Sequence, residues 1–281
     1  MKDLVIRPAT AEDHESVTTL CRRINPEDYL PVAWPLWMKR DNAVNLVAQI
    51  DDQIIGCVHG EIIAPSEAWE QGIRVHPEMR RLGVATGLLA RLQESLWSLG
   101  ARRIFGTVSR SNEPSLALFS RLGRPIVSRI SRRKARGEVG SLPSIPPASD
   151  EEVLELLHQN PVLASRRKLS HFKRAYFSLT GDFLVRMLKL GRVRISHDRR
   201  SFVLLDLDAR ESAETLWVVA LAGETAGLRR LFKDLLIEAG SSQKDVIVES
   251  PERADLQALL DQLGFDPPEK DGRYVVIQKT L

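Results

Sequence analysis

A short basic loop between a predicted strand and a predicted helix is the part of this sequence best suited to chemistry. Residues 72–89 read GIRVHPEMRRLGVATGLL, so a strand is expected to end at Val75 and a helix to begin near Gly83. The first amides of a helix have no partner within it, and with the helix dipole they attract anions. Arg80 and Arg81 add positive charge, and a glycine lets a ligand approach the backbone closely. The loop therefore predicts a pyrophosphate site, although an ordinary basic turn before a core helix would contain the same residues.

This loop resembles the signature of the GNAT superfamily of acyl-CoA N-acyltransferases. Residues 80–85 match Arg/Gln-x-x-Gly-x-Gly/Ala, and residues 73–77 match the apolar-x-Val-x-Pro ending of the preceding strand. Residues 112–123 resemble the family's Asn-x-x-(Ala/Ser)…(Tyr/Phe)-x-x-x-Gly helix, and the opening Ile6–Thr10 is also typical. The resemblance covers residues 4 to about 130. It implies acetyl-CoA as co-substrate, an amine-bearing acceptor and no metal.

The resemblance also implies which residues hold the cofactor. The backbone of Ile73 and Val75 would pair with the pantetheine arm, and the amides from Arg81 to Thr86 would hold the pyrophosphate. Asn112 would contact the pantetheine, and an amide of the fourth strand would polarise the thioester carbonyl. The implied cofactor-binding residues are Ile73, Arg74, Val75, Arg80, Arg81, Leu82, Gly83, Val84, Ala85, Thr86, Asn112 and Phe119.

Transfer to an amine requires the neutral amine, which is scarce at pH 7 because a lysine-like amine has a pKa of about 10.4. A general base is therefore useful. Glu70, just before the loop, is the first candidate for this catalytic role, and Glu61 and His59 are the others; each could instead be a surface or cross-strand polar residue. Neither Cys21 nor Cys57 lies in a nucleophile motif, so direct transfer in a ternary complex is expected.

Two positions depart from the family pattern. Many family members protonate the thiolate with a tyrosine where this chain has Phe119, so Ser115, Ser120 or water would have to replace it. The Gly-Phe pair that often follows is Gly123-Arg124 here. Phe119, together with the degenerate second half described below, favours an alternative function, a non-catalytic acyl-CoA-binding or protein-interaction module on the same fold.

Hydrophobic periodicity predicts an α+β (mixed α/β) fold in two halves, each a mostly antiparallel sheet flanked by helices. Between the first helix and the second strand, prolines predict broken helix or loop at Pro26–Trp37. Its aromatic residues would wall the acceptor site or, alternatively, belong to the core. In the first half the expected strands are Leu4–Arg7, Asn45–Ile50, Ile54–Ile63, Ala68–Val75, Arg103–Val108 and Pro125–Arg132, and the helices are Ala11–Arg23, Gly83–Leu99 and Pro114–Leu122. In the second half the expected elements are strands Val193–Ser196, Phe202–Asp206, Leu216–Leu221, Val246–Glu249 and Tyr274–Lys279, and helices Thr225–Ala239 and Ala254–Leu263.

The two halves also share landmarks, which suggests an internal duplication. The segment IRPAT near the start is similar to IPPAS at 145–149, and 115 positions separate Pro8 from Gly123 against 117 from Pro147 to Gly264. We therefore expect a GNAT acyl-CoA-binding catalytic domain at 1–141 and a degenerate GNAT-like domain at 142–281. The second would lack the pyrophosphate loop, because its counterpart AGETAG at 222–227 has no basic residue before the glycine and Glu224 would repel phosphate. An unrelated α+β domain is the alternative.

Composition excludes several classes of protein. Hydrophobic residues make up 43% and charged residues 27%, which is typical of globular chains. Two cysteines provide neither a disulfide framework nor a four-cysteine zinc site, and the histidines lack ligand spacing. There is no apolar run of about 20 residues and no signal-like amino terminus, so a cytoplasmic chain without membrane contact is expected.

The charge is slightly positive and unevenly distributed. Residues 1–140 have 20 Lys and Arg against 16 Asp and Glu, whereas residues 141–281 have 20 against 21. Much of the excess lies at Arg129, Arg132, Arg133, Lys134 and Arg136, which we interpret as a solvated strand or linker edge. A nucleic-acid partner is not expected, because its binding site would have a broader basic face. The sequence leaves open whether the chain forms a homodimer.

Overall fold

The computed structural model describes residues 3–141, 148–159, 163–166, 175–206, 214–269 and 272–281. Within these ranges the chain forms eight α-helices and thirteen strands, which confirms the predicted α+β class. In the same ranges, no helix combines the length and the apolar character that crossing a bilayer requires.

The first half contains six strands and four helices. The strands are β1 (Leu4–Pro8), β2 (Ala43–Ile50), β3 (Gln53–Ala64), β4 (Glu67–Val75), β5 (Arg103–Ser109) and β6 (Ile126–Arg136). The helices are α1 (His14–Ile24), α2 (Leu30–Trp37), α3 (Val84–Ser98) and α4 (Glu113–Arg121). The helix predicted from Ala11 begins as a 3-10 turn at Ala11–Asp13. The segment predicted as broken helix or loop contains α2, which accepts Pro31 in its first turn because the amides there lack helical partners.

The described part of the second half contains seven strands and four helices. The strands are β7 (Leu163–Arg166), β8 (Ala175–Ser178), β9 (Val193–Ile195), β10 (Ser201–Asp206), β11 (Thr215–Gly223), β12 (Asp245–Pro251) and β13 (Arg273–Thr280). The helices are α5 (Asp150–Gln159), α6 (Gly181–Lys189), α7 (Thr225–Ser241) and α8 (Ala254–Gln262). Every element that we predicted here is present, and its bounds agree to within two residues.

Eleven strands form one continuous sheet, in the order β1-β2-β3-β4-β5-β13-β6-β12-β11-β10-β9. The two halves exchange their last strands within it. β13 of the second half runs antiparallel to β5 of the first, β6 of the first half runs antiparallel to β12 of the second, and β6 and β13 pair with each other. Each half therefore completes its sheet with a strand of the other. The predicted boundary near residue 142 falls on 142–147, outside the described residues.

Helices cover both faces of this sheet. On one face α3, α4, α7 and α8 bury the apolar stripes that their 3.6-residue periodicity predicts, with Leu88, Leu92 and Leu96 of α3 fully buried. On the other face lie α1 and α2 over the first half and α5 and α6 over the centre and the second half. The site described below lies in the first half, where β4 and β5 meet α3 and α4.

The basic run along β6 is only partly the solvated strand or linker edge that we predicted: Arg129, Lys134 and Arg136 are exposed, whereas Arg133 is buried. β6 lies in the interior of the sheet, and its charged side chains contact the second half of the chain. Arg132 donates to Glu249 at 3.2 Å, Arg133 is buried and donates to Asp261 at 2.5 Å, and Lys134 pairs with Asp245 at 2.6 Å. The burial of Arg133 could not be predicted, because a solvated strand and a strand that pairs with the other half can have the same sequence.

Candidate active site

A cleft opens where β4 and β5 diverge. Their parallel pairing includes Glu67–Trp69 and Arg103–Phe105 and ends there. β5 pairs with β13 along its other edge over its whole length, and β4 continues along β3 with a bulge near Gly72. From Glu70 to Val75, alternate backbone amides and carbonyls of β4 therefore point away from β3 and into the cleft. An extended ligand could pair with this edge as an added strand would.

The loop after β4 leads directly to the start of α3. Gly83, the N-cap, has φ +84°, a conformation that favours glycine, and a side chain there would meet no atom within 4 Å. The N-cap makes no side-chain hydrogen bond, and the first helical hydrogen bond runs from Gly87 N to Gly83 O at 2.9 Å. The amides of Val84, Ala85 and Thr86 precede that bond. They lie at the positive end of the helix dipole, where an anion is favoured.

The side chains around the start of α3 differ in exposure. Arg80, Arg81 and Leu82 are exposed, so both guanidinium groups can reach a bound anion. The side chains of Ile73 and Val75 pack toward α3, which leaves the backbone of β4 as their part of the cleft.

The Arg74 side chain lies on the opposite side of β4 and contacts residues at the start of α2. Its Nε and Nη2 donate to Asp28 at 2.6 and 2.9 Å, and its guanidinium lies 5.6 Å from the ring centre of Tyr29. Burial raises the pKa of Tyr29, so its hydroxyl stays protonated at neutral pH. Arg74 can therefore contribute its backbone to a cofactor, while its side chain anchors α2.

Asn112 caps α4 at the far side of the cleft. Its Oδ1 accepts a hydrogen bond from Ser115 N at 3.2 Å, and the side chain is exposed. Ser115 is half-buried in the first turn of α4, whereas Ser120 is exposed near the other end of the helix.

Glu70 lies at the closed end of the cleft, on the side of the sheet that α4 covers. It is only 4% exposed, and its Oε1 accepts a hydrogen bond from Arg124 Nη1 at 2.5 Å. The guanidinium of Arg124 in turn lies 5.7 Å from the ring centre of Phe119. Burial raises the pKa of Glu70, and the charge of Arg124 acts in the opposite direction. The two departures from the family pattern, Phe119 and Arg124, thus meet the candidate base in one cluster.

The other two candidate bases lie on the opposite side of the sheet, beneath α2. His59 Nδ1 lies 2.8 Å from Asn45 Oδ1, and its ring stacks on Trp37 with 4.2 Å between ring centres. Glu61 accepts a hydrogen bond from Arg40 and is 1% exposed. These contacts hold α2 on the sheet, and the structure does not bring either residue together with Glu70.

The aromatic residues of the proline-rich segment belong to the core. Leu30, Trp34 and Trp37 have no exposed surface, and with Tyr29 they pack against α1 and β3. These aromatic residues are therefore core residues, which was the alternative to an aromatic wall of the acceptor site. Arg124 was not predicted as a site residue. The available signal was an arginine where the family pattern has an aromatic residue, in a chain whose candidate base lies on β4.

The second half has no loop at the corresponding position. β11 ends at Gly223 and α7 begins at Thr225, so a single residue, Glu224, separates them. Gly223 has φ +108°, and a side chain there would approach Arg200 O to 2.0 Å. Thr225 Oγ1 donates to Asp255 at 2.7 Å. Two carboxylates therefore border the start of α7, and each already pairs with an arginine, Arg200 with Glu224 and Arg253 with Asp255, so a second anion there would compete with them.

Metal chemistry has no candidate centre in the part of the chain that the structure describes, since no three His, Cys, Asp or Glu residues cluster there as ligands.

Comparison with known proteins gives one matching family model and several similar structures. Residues 11–123 match the model of the Acetyltransferase (GNAT) family. The fold is similar to a structure from Thermoplasma acidophilum, with 14% identity, 99% of this chain and 100% of that chain covered and a TM-score of 0.59.

Two further structures share the complete two-half architecture. The GCN5-related N-acetyltransferase from Sphaerobacter thermophilus is 14% identical, with 99% of this chain and 95% of that chain covered and a TM-score of 0.57. A tandem GNAT protein from the clavulanic acid biosynthesis pathway is also 14% identical, with 99% and 98% covered and a TM-score of 0.51. At this identity the likeness shows the fold alone.

Proposed function

Residues 11–123 form a GNAT acetyltransferase domain, and from this premise we propose that the chain transfers an acetyl group from acetyl-CoA to a primary amine. The transfer is direct, in a ternary complex of enzyme, acetyl-CoA and acceptor. Cys21 and Cys57 are fully buried, which argues against a covalent acyl-enzyme intermediate on either thiol.

The observation that carries the proposal is the uncapped start of α3 beside the divergent edge of β4. A pyrophosphate needs several amide donors and positive charge, and the amides of residues 83–86 with Arg80 and Arg81 supply both. A pantetheine arm carries amides of its own, and the edge of β4 offers them strand-like partners. The two features are adjacent, as the two parts of one CoA molecule require.

The reaction then follows from the position of the thioester at the closed end of the cleft. An amide of β4 polarises the carbonyl, the amine nitrogen attacks its carbon, and the C–S bond breaks with the electron pair leaving on sulfur. Glu70 takes the proton that the amine loses. Phe119 cannot donate a proton, so the thiolate takes one from water or from Ser115.

A non-catalytic acyl-CoA-binding module is the second candidate function. The presence of Phe119 favours it, because a phenyl ring cannot supply the proton that the leaving thiolate takes. It keeps the same cofactor site, so binding experiments alone do not separate it from the enzyme.

Calorimetry with acetyl-CoA tests the cofactor site. We expect Gly83→Glu to weaken binding at least about tenfold, because a carboxylate would face the pyrophosphate. Gly100→Glu is a matched control, since Gly100 also has a positive φ, of +95°, with no atom within 4 Å of a side chain, at the other end of α3. Equal affinity in both variants and the native chain would refute the placement.

Thiol release with acetyl-CoA and a panel of primary amines tests the reaction. Glu70→Gln should lower the rate at least about tenfold if Glu70 is the base. Glu61→Gln makes the same change in a buried glutamate on the other side of the sheet and should retain most of the rate. If thiol release is no faster with any amine of the panel than without an amine, the non-catalytic module is favoured.

A further inference from the structure

The two oxygens of the Glu70 carboxylate have different surroundings. Oε1 accepts the hydrogen bond from Arg124, whereas Oε2 is buried and has no hydrogen-bond partner among the described residues. The pairing is therefore one-sided, although a guanidinium can bind both oxygens of a carboxylate. Such an arrangement keeps one oxygen available to accept a proton.

Arg124 is held where it is by the end of α4. Its side chain is 2% exposed, and its backbone N–H donates to Phe119 O at 3.1 Å. The preceding residue, Gly123, adopts φ +64°, which turns the chain after the helix and back toward β4. The Nε of Arg124 is also buried without a partner in the described part of the chain. Glu70 is thus the carboxylate that balances this buried charge.

Among the described residues, those of β3, α3, β5 and α4 that pack against Glu70 carry no charge, and Lys279 of β13 lies near Gly123. β3 places Gly60 beside it, and α3 fills the space over Gly60 with Leu92 and Leu96. β5 contributes Gly106, where a side chain would meet Glu70 Cγ at 3.1 Å, and α4 contributes Phe119. In such surroundings an isolated carboxyl group would be neutral at pH 7, and a neutral carboxylic acid cannot act as a base.

We infer that Arg124 is a positioning residue that keeps Glu70 ionised in this apolar setting and leaves Oε2 to take the proton of the attacking amine. The inference rests on the proposed function. In the step it serves, the N–C bond forms, the C–S bond breaks, the thiolate leaves with its electron pair, and the amine proton moves to Oε2. Arg124 itself exchanges no proton, because a guanidinium stays charged throughout.

Carbon-13 NMR of the glutamate carboxyl groups tests the inference without any acceptor. The Glu70 signal is identified by its loss in Glu70→Gln and is then followed across pH. We expect Arg124→Met to move its midpoint to higher pH, and Arg124→Lys, which keeps the charge, to restore most of the native midpoint. Arg133→Met, the loss of another buried arginine, should leave it unchanged. An unmoved midpoint in Arg124→Met would overturn the inference.

The pH dependence of kcat/KM then links the pair to catalysis. Because the active form has Glu70 ionised, the acid limb should move to higher pH in Arg124→Met, with at least about a tenfold loss near pH 6 that shrinks as pH rises. An equal loss at every pH would show a merely structural role and contradict the inference. If the native chain transfers no acyl group to any amine, the proposed function fails, and the NMR midpoint still decides whether Arg124 controls Glu70.

Discussion

Arg133 of the first half and Asp261 of the second form an ion pair with 2.5 Å between Nη2 and Oδ1. The same guanidinium donates to the carbonyls of Gln257, Phe265 and Asp266, at 3.2, 2.7 and 2.8 Å. Arg133 is buried on β6, and these acceptors lie along and just after α8. A cation at the carboxyl end of a helix satisfies carbonyls that have no helical partner. The exchanged strand is thus fixed to the half it completes.

Removing this contact should destabilise the whole chain. We expect Arg133→Met to lower the free energy of unfolding by about 3 kcal/mol, because several buried carbonyls lose a charged donor. Urea denaturation followed by circular dichroism measures the change. Asp261→Asn is the control. Asp261 is 67% exposed, so its loss should cost less than about 1 kcal/mol. A larger effect for Asp261 than for Arg133 would contradict this assignment.

Strand exchange also predicts how the chain unfolds. Neither half has a complete sheet without the other, because β13 lies between β5 and β6, and β6 lies between β13 and β12. Differential scanning calorimetry of the native chain should therefore show one cooperative transition. Arg133→Met should move that transition as a whole to lower temperature. Two transitions, of which Arg133→Met moved only one, would show that the halves unfold independently.

The Glu70–Arg124 pair should show strong energetic coupling in a double-mutant cycle. Arg124→Met leaves a buried carboxylate alone, and Glu70→Met leaves a buried guanidinium alone, a change that costs about 3–5 kcal/mol. The double variant removes both charges, so its loss should be smaller than the sum by at least about 1 kcal/mol. The exposed pair of Arg91 and Glu94, at 3.3 Å, is the control, with coupling below about 0.5 kcal/mol. Additive losses at Glu70 and Arg124 would contradict the buried pairing.

Local signals in the sequence were sufficient for most helices and strands and for the position of the loop before α3, but not for α6, β7 and β8. Apolar spacing defined α3 and α7, and the glycine and arginines before α3 are adjacent in sequence, so their meaning does not depend on the rest of the fold. The fold class could be predicted for the same reason.

Long-range pairing could not be predicted. Glu70 and Arg124 are 54 positions apart, and Arg133 and Asp261 are 128 apart. Nothing within residues 126–136 indicates that this strand completes the other half. From the sequence alone a run of arginines is interpreted as solvated, because exposed and ion-paired positions contain the same types of residue.

One CoA molecule should bind per chain. The start of α7, which corresponds to the start of α3, follows β11 after the single residue Glu224. Arg200 and Arg253 beside it are paired with Glu224 and Asp255, so a second pyrophosphate would have to compete with both carboxylates. Isothermal titration with CoA should give one site for the native chain, and Gly83→Glu should weaken that site. Thr225→Ala breaks the hydrogen bond to Asp255 without adding charge, so it should change neither the number of CoA sites nor the affinity. A second site of similar affinity would contradict the difference between the halves.

The acid sensitivity of the fold should depend partly on Asp13. Arg7 donates to both of its oxygens at 2.8 Å and Thr10 N donates at 2.7 Å, so the pKa of Asp13 lies below its ordinary value of 3.8. A carboxylate with a lowered pKa stabilises the folded chain above that ordinary value, and the stabilisation is lost as pH falls through the pKa of the folded state. Asp13→Asn should therefore cost about 2 kcal/mol at pH 7 and much less near pH 2. Denaturant titrations at both pH values measure this, with exposed Asp52→Asn as the control. An equal cost at both pH values would show that the ionised form of Asp13 does not matter.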